Sequence, residues 1–241
     1  MKNKKKITVL GGGSFGTVLA NLAAKNGNDV CLYVRNTNDA QSINESHINP
    51  RYLPDFVLEP NLSANTDLQS SVNDADLIFI AIPSRHCRDV MHAASPYIDG
   101  SCMLVSLTKG IESGSLKLMS EVIHEEVPQC PIGVLSGPNL AKQIAANEIA
   151  GTVVASSSNR LLALVRKTLR SSDFRVFVGQ DVFGVELGGA LKNIYAIIFG
   201  MARELNIGEN TQALLFTRAL AEMSLLVWPA WAIYLQRVCH P

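Results

Sequence analysis

The sequence predicts a doubly wound α/β sheet followed by an all-α C-terminal region, and three observations predict it. Seven short apolar runs alternate with segments of helical length as far as Gln180, the runs lack strict polar/apolar alternation, and beyond Gln180 no strand-like run recurs before the final segment. Strands alternating with helices read as parallel strands joined by crossovers. Uniformly apolar strands are those covered on both faces.

The first run, ITVL (7–10), leads straight into GGGSFG, where Gly11, Gly13 and Gly16 form GxGxxG. Ser14 to Asn26 then has helical length and stops at Gly27. In that setting Gly11 permits a tight turn, Gly13 lets backbone approach a pyrophosphate, and Gly16 lets the helix close on the strand. The helix start adds free amides and a positive dipole end. This is the Rossmann-type arrangement for a dinucleotide. The second run, DVCLYV (29–34), ends beside Arg35, where an NAD-selective site usually carries a carboxylate for the ribose hydroxyls. A cation there suits a 2′-phosphate, so NADP as well as NAD is the expected cofactor.

The stretch from Asn36 to Gln69 is polar and Pro-containing and reads as loops with short helix. DLIFIAI (76–82), MLVSLT (103–108), IGVLS (132–136), GTVVAS (151–156) and FRVFV (174–178) supply the remaining strands. Ligands of open α/β sheets collect beyond the carboxyl ends of strands, and two loops lie there. One carries Lys109 in SLTKGIE; the other is LSGPNLAKQ (135–143). In the second, Gly137 and Pro138 precede a helix, with Pro138 suited to its first turn. The amides of Asn139 to Ala141 could then hold an anion or a polar substrate. Taken singly, that loop also reads as an ordinary strand-to-helix turn, and Lys109 as a solvated cation.

Asp181 can cap a helix, which divides the chain into residues 1–180, nucleotide-binding, and 181–241, helical. VELGGALKNIYAII (185–198) is the chemically odd part. From Leu187 to Ala202 only Lys192, Asn193 and the Tyr195 hydroxyl offer polar side-chain atoms. A helix so apolar is expected to be largely buried, and a lone buried ammonium is costly. Burial, or a second cation such as Lys109, lowers a lysine pKa from ~10.4 toward the ~7–8 useful for proton transfer. Lys192 is therefore the candidate catalytic acid/base.

Composition narrows the partners. Of 241 residues 47% are apolar, and 21 basic side chains balance 21 acidic ones, so no net field favours nucleic acid or an anionic membrane surface. The five cysteines are odd in number and lack short metal or redox spacings, as in reduced packing residues of a cytoplasmic protein. In MKNKKKITVLGGGS the apolar run is too short for a signal peptide. No stretch reaches the ~18 uninterrupted apolar residues of a membrane span. No metal site is expected.

GGGSFGTVLA (11–20), NPRYLP (49–54), TKGIE (108–112), LSGPNLAKQ (135–143) and GVELGGALKNIYAI (184–197) together resemble the bacterial type of NAD(P)-dependent glycerol-3-phosphate dehydrogenase. The resemblance implies reversible hydride transfer between NAD(P)H and dihydroxyacetone phosphate, giving sn-glycerol 3-phosphate for phospholipid synthesis, in a homodimer. It implies Lys192 as the proton acceptor on the alcohol side. Ser14, Phe15, Arg35 and Ala141 would meet the nucleotide, Lys109 both cofactor and substrate, and Gly137 and Asn139 the substrate. The family's usual Trp, Glu and Gly are replaced by Phe15, Gln143 and Ala219.

After about Leu226 the resemblance stops and the chain ends VWPAWAIYLQRVCHP. The family's Gly-Asp and Ser-Arg-Asn segments do not follow. The expectation is a frameshift or premature stop, an incomplete helical domain, and apolar faces on 181–205 and 211–226 left exposed. A second reading is then a protein that holds NADP but turns over weakly or not at all. A hydroxyacyl or 6-phosphogluconate type of dehydrogenase is a third, opposed by SGPNLAKQ and NPRYLP.

Overall fold

The structure, a computed structural model, describes the backbone of residues 4–239 and the side chains of residues 4–225. Its first half runs β1 (Lys6–Leu10), α1 (Ser14–Lys25), β2 (Asp29–Tyr33), α2 (Thr37–Ser46), β3 (Ile48–Asn49), β4 (Leu53–Val57), β5 (Leu62–Asn65), α3 (Leu68–Val72) and β6 (Leu77–Ile80). There follow α4 (Cys87–Ala94), β7 (Met103–Ser106), α5 (Met119–Glu126), β8 (Ile132–Ser136), α6 (Ala141–Ala145), β9 (Ala150–Ser156), α7 (Asn159–Leu169), β10 (Phe174–Gly179), α8 (Val182–Glu204) and α9 (Glu209–Cys239).

All seven anticipated strands form, within one eight-stranded sheet of order β10-β9-β8-β7-β6-β1-β2-β5. Helices cover both faces. On one, Val18, Leu19 and Ala23 of α1 and Leu161 and Val165 of α7 pack on Ile7, Val9, Leu32 and Val105. On the other, Met91 of α4 and Met119, Val122 and Ile123 of α5 pack on Leu10, Ile78, Ile80 and Leu104. Cys87 and Cys102 lie in this second layer, where burial pushes their thiols up to about 12. They are packing residues rather than nucleophiles. The Cys239 side chain and the tail residues His240 and Pro241 lie outside what is described.

Three expectations need correction. The 36–69 stretch is not loop with short helix: it holds α2, the β3–β4 hairpin and β5, which pairs in parallel with β2 from Val30↔Leu62 to Tyr33↔Asn65. Its apolar residues are sparse, but Ile43, Leu53, Leu58 and Leu62 are all buried. Asn44 completes the edge by accepting from the Ala64 amide at 2.7 Å and donating to the Ala64 carbonyl at 2.9 Å. Second, Pro138 is not in a first helical turn, because α6 starts only at Ala141, behind Leu140.

Third, α8 is not largely buried. It meets β8, β9 and α9, yet Ile197 is 65% and Met201 60% exposed. The 23 residues of α8, with mean hydropathy 1.4 over an 18-residue window, suffice by length and composition to cross a bilayer. Glu186, bonded to Ser120 of α5, and Gly189, against Ser136 of β8, instead seat its first turns on the fold. The apolar faces expected on α8 and α9 are indeed open to solvent, at Ile194, Ile198, Leu214, Phe216 and Leu220. Within the eight-stranded sheet all ladders are parallel except β8–β9, which is antiparallel.

A charge cluster fixes the loop after β7. Arg88 of α4 grips Glu112 through Nε and Nη2, each at 2.8 Å, and reaches Glu125 at 2.8 Å and Glu126 at 2.7 Å. Hydrogen bonding from Arg88, then from Ser115, lowers the Glu112 carboxyl to about 2. A carboxylate depressed in the folded state contributes stability above its unfolded pKa, and that contribution is lost as pH falls through the folded value. Denaturation midpoints should therefore fall between pH ~4.5 and ~2, and Arg88→Met should flatten that dependence. An unchanged slope in the variant would show that the cluster does not stabilise the fold.

Candidate active site

The sheet order reverses at β1, whose neighbours β2 and β6 belong to opposite windings. A crevice must open outside the carboxyl ends of those strands. It does: a cleft of about 770 Å³ is lined by Gly11, Gly13, Phe15, Gly16, Arg35, Lys109 and Asn139, all anticipated, together with Arg51, Tyr52 and His86.

The glycines do separate jobs. Gly11 has φ +116, and a Cβ there would lie 2.4 Å from the Ala81 carbonyl oxygen. A Cβ on Gly16 would lie 2.0 Å from the Gly11 oxygen, so α1 can approach the turn only without a side chain. Gly13 has no atom within 4 Å of a Cβ position; the space beside it is open. Gly13 is also the residue before α1, whose start has no side-chain cap. A turn with this geometry presents amides to an anion.

Beyond β7 and β8 the second part of the site assembles. Asn139 donates through Nδ2 to Thr152 Oγ1 at 3.1 Å, while its buried Oδ1 has no partner among the described residues. Lys192 comes in from α8 and donates through Nζ to the Gly137 carbonyl at 2.5 Å. Lys109 is close enough to perturb it: burial first, then the charge of Lys109 and a hydrogen bond with it, lower the Lys192 ammonium to about 8. The two loops and the helix therefore converge. Lys192 is half-buried rather than enclosed, Asn193 is exposed, and Lys192, Gly137, Ser14 and Ala141 do not themselves line the cleft. Ser14 Oγ instead donates to the Tyr52 carbonyl at 3.4 Å, and Ala141 packs against the core as α6 begins.

Comparison with known proteins identifies the family. The family model for the N-terminus of NAD-dependent glycerol-3-phosphate dehydrogenase matches residues 6–162, and that for its C-terminus matches residues 181–230. The chain belongs to the NAD-dependent glycerol-3-phosphate dehydrogenase family. It is 56% identical over 223 residues to a glycerol-3-phosphate dehydrogenase (NAD(P)+) of Acinetobacter baylyi, covering 92% of this chain and 62% of that relative. The crystal structure of glycerol-3-phosphate dehydrogenase from Coxiella burnetii superimposes with a TM-score of 0.88 at 37% identity, over 93% of this chain and 69% of that one. The yeast Saccharomyces cerevisiae enzyme gives 0.81 at 30% identity, over 92% and 69%. The chain thus spans about 62% of the length of the curated relative from Acinetobacter.

The structure also gives a role to NPRYLP, for which the sequence alone offers none. Asn49 of NPRYLP is fully buried, and its Nδ2 donates to the Gly12 carbonyl at 3.0 Å and to Thr17 Oγ1 at 2.8 Å. It braces the glycine turn from behind. Arg51, whose guanidinium lies 5.3 Å over the Tyr52 ring, and Tyr52 itself wall the cleft. The sequence offers only an Asn followed by Pro as a signal, and no hint of its partner.

Proposed function

We propose that this chain catalyses reversible reduction of dihydroxyacetone phosphate to sn-glycerol 3-phosphate with NADPH or NADH, supplying phospholipid synthesis. One observation supports this above the others: Lys192 Nζ, its pKa lowered to about 8, stands beside Lys109, which itself lines the switch-point cleft. The residues present fit a dinucleotide, because the open space at Gly13, the uncapped start of α1 and the Arg35 cation suit a pyrophosphate and a 2′-phosphate. When bound, the nicotinamide supplies the hydride chemistry.

The protein's own part is proton transfer and orientation. In reduction, Lys192 Nζ gives its proton to the substrate carbonyl oxygen, so charge does not build up there; in oxidation the neutral amine takes the proton back. Lys109 holds the substrate phosphate side and keeps the Lys192 pKa low. Asn139, with its unpartnered Oδ1, accepts a substrate hydroxyl, and Gly137 O holds the Lys192 ammonium between turnovers. Ser14, Phe15 and Ala141 belong to the nucleotide side in this reading.

The reading extends to a division into a nucleotide-binding part, 1–180, and a helical part, 181–241. It extends also to a cytoplasmic homodimer, for which the exposed apolar faces of α8 and α9 offer a contact surface. The test is oxidation of NADPH on adding dihydroxyacetone phosphate, repeated with NADH. Turnover with both is expected. Cofactor binding without turnover would leave a nucleotide-binding protein as the surviving reading.

A further inference from the structure

α5 begins at a residue that cannot cap it. Leu118, in the cap position, has no polar side-chain atom, and the first amides of a helix need acceptors from elsewhere. Glu121 reaches back to the Leu118 amide at 2.8 Å. The next acceptor comes from far along the chain: Glu186 of α8 receives the Ser120 amide at 2.9 Å and the Ser120 hydroxyl, with the Met119 amide also directed at it. Glu186 is 5% exposed and is the one buried side chain on α8, among the described residues, that carries a polar group.

We propose that Glu186 is the positioning residue for Lys192: by capping α5 from across the sheet it sets the rotation and axial height of α8. The proposal rests on Lys192 being the acid/base group. Residues 186, 189 and 192 recur every third position, so they lie along one slowly turning face of the helix. The first meets Ser120, the second abuts Ser136, and the third meets Gly137. At Gly189 a Cβ would sit 2.4 Å from Ser136 Oγ, so this contact is set by closeness alone and can slide. Apart from the Lys192–Gly137 bond itself, Glu186 ties this face of α8 to its neighbours by directed bonds. A slip of one residue would move Lys192 about 1.5 Å and turn it about 100°, away from Gly137.

Three other elements face the carboxylate with ionisable groups: Glu121 of α5, Cys87 of α4, and Lys109, which lines with Glu186, Ser106 and Ser136 a small cavity of about 10 Å³. Lys192 shares its own helix. Burial pushes the Glu186 carboxyl up to about 7, against the Ser120 bonds, so its charge forms as pH rises through neutrality. The ionised form is the stronger acceptor. Its grip on α5 should strengthen over that range.

The experiment compares the full chain with Glu186→Gln, Glu186→Ala and Ser120→Ala. Turnover, cofactor affinity and the pH dependence of Lys192 acylation by acetic anhydride, read by mass spectrometry, are measured on each. Glu186→Gln should lower kcat about tenfold, and Glu186→Ala about a hundredfold, as expected of sub-ångström to 1 Å misplacement. NADPH affinity should stay within about twofold, since no cleft residue is altered. The apparent Lys192 pKa should rise from about 8 toward the ordinary lysine range. Ser120→Ala, which leaves Glu186 in place but removes one donor, should shift it the same way by less. In the Gln variant the ionisation near neutrality should vanish from the kcat profile. Folded variants with the original Lys192 pKa would overturn the proposal. Should the unaltered chain bind NADPH but not turn over, the acylation profiles still decide the positioning role while the proposed activity fails separately. If Glu186→Ala does not fold, the Gln and Ser120 variants carry the comparison.

Discussion

Lys192→Ala should abolish most turnover while leaving NADPH bound. The expected loss in kcat is about 10²–10⁴-fold, the usual contribution of a positioned acid/base group. Lys192→Arg should be no better, because a guanidinium stays protonated and cannot take a proton back. The unaltered protein should show the matching pH behaviour. In the proposed reaction, oxidation of glycerol 3-phosphate draws on the neutral amine, so its rate should rise as pH passes through about 8; reduction draws on the ammonium and should fall over the same range. Lys109→Ala should move both profiles to higher pH, since it removes the neighbouring cation that depresses Lys192. Steady-state rates across pH in both directions check the whole set. Turnover unaffected in Lys192→Ala would end the acid/base assignment.

The second large effect concerns two glycines that look equivalent in sequence. Gly13→Ala should fold with an unchanged melting temperature, because nothing lies within 4 Å of the added carbon. Cofactor affinity should nevertheless drop about 10–100-fold, as the methyl occupies the path of the pyrophosphate and costs about 1–3 kcal/mol of overpacking in the complex. Gly16→Ala should do the reverse in order of cause. Its Cβ would stand 2.0 Å from the Gly11 carbonyl oxygen, so α1 must move off the turn in the empty protein. A strain of about 1–3 kcal/mol corresponds to a melting temperature lower by about 2–10 °C in a protein of this size. Melting curves and NADPH titrations of both variants separate the cases. Equal thermal loss in both would mean that the space beside Gly13 is not the nucleotide's path.

What the sequence made legible was local. Gly11, Gly13 and Gly16 carry their roles in spacing alone, the apolar runs announce their strands, and Lys192 stands out because its neighbours along α8 are apolar. What stayed hidden depends on distant partners. Asn49 acts on a turn 37 residues earlier, and Glu186 on an amide 66 residues earlier. Neither partner can be read from the residues beside them. The edge strand β5 was missed because its stabilising neighbour is partly a side chain, Asn44, rather than another strand. The burial of α8 was overestimated for a related reason. Apolar composition shows that a face seeks a partner, but not that one is there.

The antiparallel seam between β8 and β9 also decides how the molecule comes apart. On one side of it lie β1, β2, β6 and β7 with all of the switch-point cleft but Asn139; on the other lies the unit β9, α7 and β10. That unit is held by the β8–β9 ladder, by its packing on α1, and by Asn26, whose Nδ2 donates to the Thr168 carbonyl at 2.8 Å. Proteins open in such contiguous units below their global unfolding free energy. The SGPN turn hangs on the seam, with Gly137 against Gly151 and Asn139 bonded to Thr152. Amides of β9 and β10 should accordingly exchange with solvent sooner than those of β1 and β6. In each such opening the protein lets go of the carbonyl that holds Lys192 while its grip on the nucleotide turn persists.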